Sequence, residues 1–135
     1  MQKVSELKYE RLSMEEFAQE IKEVIHQVKT ADSARAVLAA RDRCNQLMIR
    51  WETAQALSYM RYSINTADAF YLAEKEYYDE VGPQAQNYLL EYTRAMLETP
   101  FRQELEELAA RSGSQAPEVL HNILKESDPE AAAQI

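Results

Sequence analysis

Cysteine is nearly absent from this chain. The one thiol, Cys44, leaves no internal disulfide framework to hold the fold. Glycine and proline are scarce too, two and four residues. An all-β fold needs many tight turns, and there is too little turn chemistry here to make them. A basic surface is also missing, because the net charge is −8. Phosphate backbones demand a basic patch, so nucleic acid is excluded as a partner class. No apolar run is long enough to span a bilayer, which argues against a membrane role. The opening "MQKVSELKYER" carries no apolar core of a secretory signal. A reducing cytoplasm is therefore the expected compartment.

What remains is a helix-forming composition. Ala, Leu, Glu, Gln, Arg and Met dominate, and all lose little side-chain freedom in a helix. The 135 residues, 46% of them hydrophobic, suffice for one domain with a real core. The expected fold is all-α, an antiparallel bundle of long helices with a kinked third helix and short C-terminal helices. Residues 1–12 read as an extended N-terminal segment, 13–110 as a helical lobe, and 111–135 as loop, short helix and tail.

Periodicity places the helices. Ser13 and Glu16 have capping-box spacing at the head of a first helix to Thr30. Its stripe is Met14, Phe17, Ile21, Val24, Ile25 and Val28. Asp32 or Ser33 caps a second helix that runs to about Ile64. Its seam is Val37, Cys44, Met48, Trp51, Ser58 and Tyr62, widened by Leu47, Ala54 and Leu57. Asn65-Thr66 offers caps for a third helix from about Ala67 to Glu98. There Phe70, Ala73, Tyr77 and Val81 form a stripe that continues through Ala85, Tyr88, Tyr92 and Met96. The phase is kept across Gly82-Pro83, which predicts one helix kinked at Pro83 rather than two. Tyr71 and Tyr78 form a second line, expected to rest on a neighbouring helix with their hydroxyls in water. Thr99-Pro100 reads as an N-cap with proline at the first helical position, opening a helix to about Ala110. Pro117 opens a short helix through Lys125.

Few residues suggest chemistry. Both histidines sit in Glu-x-x-His, as Glu23 with His26 and Glu118 with His121. Di-metal carboxylate bundles use two such pairs, pointing inward. On the first helix, however, His26 lies about 150° from the centre of the apolar stripe at 100° per residue, and Glu23 nearly opposite it. Glu118 lies opposite the last helix's apolar face, and His121 well to its side. Both pairs project toward water, so the metal bundle ranks last among the readings. His-Glu-x-x-His is absent, and structural zinc would need more Cys or His. Cys44 has Arg41 and Arg43 nearby, which can lower a thiol pKa, but its phase is that of a packed core thiol.

Three stretches carry a resemblance in order: "YER" near the start, "LSYMRYSINTADAFYLAEKEYYDEVGP", and "LLEYTRAMLETPFRQELEEL". Together they resemble the N-terminal helical region of the oligoendopeptidase F family, zinc metallopeptidases of the M3, thimet oligopeptidase-like class. That family shows Arg-His-Ser/Thr-Ile-Asp-Thr, an Asp-x-Phe-Tyr helix, Glu-x-x-Phe-Phe-Asp-Glu and Gly-Pro. Arg61, Ile64, Thr66, Asp68, Phe70, Tyr71, Glu76, Asp79, Glu80, Gly82 and Pro83 match, as do Phe101 and Arg102 further on. Tyr62 stands where the family usually has His, Asn65 where it has Asp, and Tyr77-Tyr78 where it has a Phe pair. The matched residues are expected to be structural.

The resemblance implies a lobe that lines one side of a peptide cleft beside a zinc-bearing catalytic domain. The catalytic motif is not in this chain, so the chain by itself is expected to be no enzyme and to hold no cofactor. Peptide substrate belongs to the intact enzyme. An exposed apolar face is expected to meet either a helical catalytic domain or a second copy of the chain. The alternative is an independent helical interaction or dimerisation module.

Overall fold

The computed structural model describes residues 7–111. The expected helix from Pro117, the pair Glu118 and His121, the tail and residues 1–6 lie outside the described residues. Four helices follow one another: α1 (Met14–Thr30), α2 (Ala34–Ile64), α3 (Ala69–Glu98) and α4 (Arg102–Arg111). No strand occurs among the described residues.

Local chemistry sets the helix starts. The Ser13 hydroxyl accepts from the Glu16 N–H at 3.1 Å and opens α1. The Ser33 hydroxyl accepts from the Ala36 N–H at 3.1 Å and opens α2, leaving Asp32 exposed. Each removes one of the donors that a helix N-terminus leaves without a partner.

The start of α3 departs from expectation. Asn65 ends α2 and does not cap α3; its side-chain oxygen accepts from the Ala67 N–H at 3.1 Å and builds the turn. Asp68 is the cap, accepting from Phe70 N–H at 2.9 Å and Tyr71 N–H at 3.2 Å. Asn favours such local turns, which moves the helix start to Ala69. The helix then runs unbroken through Gly82 and Pro83. Similarly, α4 begins at Arg102, so Pro100 lies in the preceding turn and not at the first helical position. There the Thr99 carbonyl accepts from the Arg102 N–H at 3.2 Å.

The three long helices all touch one another, and α4 packs on α2 and α3. Phe17, Ile21, Val24 and Val28 of α1 meet Val37, Ala40, Cys44, Leu47 and Trp51 of α2. The rings of Phe17 and Trp51 are 5.0 Å apart, and Trp51 meets Tyr78 edge-on at 5.2 Å. From α3 the core receives Tyr78, Ala85, Ala95 and Met96.

The first half of the α3 stripe is therefore one residue out of phase with the sequence reading. Phe70 is 57% exposed and Ala73 is exposed, whereas Glu74 and Tyr78 are buried. Tyr78 does not reach water with its hydroxyl, being only 1% exposed. From Val81 onward the expected phase holds. Both stepping patterns back from Val81 are compatible with helical spacing. The carboxylate at position 74 made the correct one look polar.

Candidate functional site

The residues that decide this phase form the densest polar network of the described structure. Residues 7–12 run without helix across the C-terminal end of α2 and the first turns of α3, as a strap. Leu12 ends it, buried in the core. The strap is held through its main chain. Arg61 donates to the Leu7 carbonyl and, from its other terminal nitrogen, to the Tyr71 hydroxyl at 3.0 Å. The Leu12 N–H donates to the Tyr78 hydroxyl at 3.4 Å. The Met14 N–H donates to the Tyr77 hydroxyl at 2.6 Å, and that hydroxyl donates to the Leu12 carbonyl at 3.3 Å.

Side chains add a second layer. Arg11 grips Glu74 with two nitrogens, Nε at 2.9 Å from Oε1 and Nη2 on Oε2. The Tyr9 hydroxyl donates to Glu74 Oε1 at 2.7 Å and lies 3.0 Å from the Tyr78 hydroxyl. A carboxylate can only accept, so the Tyr9 proton points to Glu74 and the Tyr78 proton to Tyr9. The Arg11 guanidinium also lies 4.1 Å from the centre of the Tyr77 ring. Phe70 and Tyr71 close the edge, their rings 6.1 and 5.7 Å from that of Tyr9.

The electrostatics follow from this geometry. Glu74 is only 5% exposed, yet the Arg11 hydrogen bonds hold its carboxyl below the usual carboxylate range. Burial and the two neighbouring hydroxyl and carboxylate groups push the Tyr9 phenol well up. Burial raises Tyr78. All three groups are thus fixed in their ordinary neutral-pH forms. The network's geometry holds a chain in place.

The sequence-predicted residues scatter around it. Arg61, Phe70 and Tyr71 belong to the network, and Asp68 caps the helix that carries it. Asp79 lies apart, accepting from Tyr59 and from Lys75, the latter at 2.9 Å. Ile64, Thr66, Glu76 and Glu80 are exposed. Gly82 and Pro83 lie further along α3. Phe101 packs against the core, and Arg102 pairs with Glu106 at 2.9 Å. Tyr9, Arg11 and Glu74 were missed as a unit. The available signal was a Glu three residues after Tyr71 and four before Tyr78, on one helical face.

Among the described residues, the other candidates lie apart from this network. Glu23 and His26 are exposed on α1, and Glu23 pairs with Arg43 of α2. Among the described residues, no three His, Cys, Asp or Glu side chains come together to hold a metal. The Cys44 thiol is buried, and burial pushes it up to about 11 despite a hydrogen bond with Tyr92. That is the opposite of an activated nucleophile.

The chain matches the Peptidase M3 N-terminal domain over residues 4–120. It belongs to that family. Two solved structures are similar to it. One, an oligoendopeptidase F, shares 33% identity at a TM-score of 0.76, and the match covers 80% of this chain and 19% of that one. The other, PZ peptidase A with an inhibitor, shares 32% identity at a TM-score of 0.74, covering 78% of this chain and 19% of that one. No curated protein matches the chain. The chain thus spans about a fifth of the peptidase chains it resembles. The M3 peptidases are zinc-dependent, but the residues described here do not fit a zinc site. The sequence lacks His-Glu-x-x-His, and no cluster of metal-ligating side chains forms among the described residues. The M3 N-terminal domain seen here is distinct from the catalytic domain. Among the described residues no helix is long and apolar enough to cross a membrane.

Proposed function

We propose that this chain serves as a non-catalytic helical lobe of an M3-type oligopeptidase, lining one side of a peptide cleft beside a zinc-bearing catalytic domain. The observation that carries the reading is the match over residues 4–120 to the N-terminal domain alone, on a helical body similar to a fifth of two peptidases. A second observation supports it. Met60, Ile64 and Phe70, at the end where α2 turns into α3, are large apolar side chains left in water, Ile64 at 84% exposure. Such an edge suits burial against another helical surface, either the catalytic domain or a second copy of this chain.

The test is capture of the native product from its own cells, followed by intact mass and peptidase assay. The reading expects zinc-dependent peptidase activity to accompany the captured protein, in a polypeptide or complex several times 15.6 kDa. A 15.6 kDa species with no associated peptidase would leave the interaction-module reading in its place.

A further inference from the structure

The strap and the surface beneath it have the anatomy of a bound peptide and its receptor. Residues 7–12 form no helix, and the α2–α3 surface reads them in two ways. Main-chain groups of Leu7, Leu12 and Met14 are captured by Arg61, Tyr77 and Tyr78, which asks nothing of the segment's side chains. Side chains are then selected at three positions. Glu74 takes Tyr9 and Arg11 together, and the Tyr77 ring carries the guanidinium. Leu12 fills an apolar slot of the core. The receptor half of the hydrogen bonds comes from Arg61 of α2 and Glu74, Tyr77 and Tyr78 of α3, and the ligand half from the strap and the first residue of α1. The receptor brings a buried carboxylate that has no partner of its own on α2 or α3 among the hydrogen bonds it makes.

We propose that this surface is a peptide-binding site for extended segments of the pattern Tyr-x-Arg-Leu, occupied in the resting protein by the chain's own residues 9–12. Its ligand is a peptide main chain read by phenols and Arg61, with a Tyr and an Arg converging on Glu74. This goes beyond the cleft-lining role and does not depend on it.

The covalent link favours the chain's own segment. A short tether gives an effective concentration on the order of millimolar, so a free peptide competes poorly with it. Weakening the strap's own side chains while leaving the receptor intact removes that competition.

The experiment uses the full chain and a labelled, end-blocked peptide of residues 7–14, LKYERLSM, with a scrambled peptide as control. Binding is read by fluorescence anisotropy on the wild type, on Tyr9→Ala/Arg11→Ala, and on the same variant with Glu74→Gln added. Circular dichroism confirms that each is folded. The strap-weakened variant is expected to bind the peptide at least ten-fold more tightly than the wild type. Adding Glu74→Gln is expected to reverse that gain, and the scrambled peptide to bind at least ten-fold more weakly. If the double variant does not fold, Arg11→Ala alone takes its place. The wild type gives an independent readout, since millimolar peptide should speed exchange of the Leu12 and Met14 amides. Folded variants that do not bind, equal binding of the scrambled peptide, or binding indifferent to Glu74→Gln would each overturn the proposal. So would unchanged amide exchange at millimolar peptide.

Discussion

Glu74 shows how one buried carboxylate can organise a helix end. Its charge is tolerated because Arg11 and Tyr9 replace the water it loses, so removing it leaves polar partners behind without a counterpart. Glu74→Ala is expected to cost about 2 kcal/mol of stability, read by chemical denaturation. The pH dependence has a definite sign. The folded protein holds this carboxyl below the ordinary glutamate value that it takes when unfolded, chiefly through the Arg11 hydrogen bonds. Its contribution is therefore present above that unfolded value and is lost as pH falls through the lower folded one. Melting curves of the wild type and Glu74→Gln should differ at pH 7 and converge at acid pH. By contrast, Glu23→Ala and His26→Ala remove only exposed groups. Each is expected to shift stability by less than about 0.5 kcal/mol, with no change in bound metal by elemental analysis.

At the scale of the element, α3 is the instructive helix. Pro83 withholds an N–H in its middle and so frees the carbonyl of Asp79, four residues back; the helix continues because Asp79, Glu80 and Pro83 are exposed, and water can satisfy that carbonyl. Gly82 beside it has nothing within 4 Å of the place a β-carbon would take. Gly82→Ala should therefore stabilise the protein by about 0.5–1 kcal/mol, seen as a higher melting temperature. The existence and length of α1, α2 and α3 were legible because their stripes are long and regular. The register of the first turns of α3 was not. Burying Glu74 is favourable only with Arg11 and Tyr9, more than sixty residues away in the chain. Local periodicity cannot see a partner at that distance. The same holds for the strap: nothing in the sequence says what surface it lies on. Asn65 was misread because a turn and a cap draw on the same side-chain chemistry.

For the whole molecule, the three long helices converge on the contact of Phe17, Trp51 and Tyr78. Trp51→Ala should cost roughly 3–5 kcal/mol, since no neighbouring side chain is free to fill so large a gap. An unchanged melting temperature would place the core elsewhere. The proposed function rests on this core: a helical body that shapes one side of a cleft and leaves catalysis to another domain. Its most direct test is hydrolysis of quenched fluorescent peptides by the purified chain across a zinc titration. The account predicts no cleavage above the blank at any zinc level. Zinc-dependent cleavage that a chelator stops, and that falls when His26 or His121 is replaced, would contradict it.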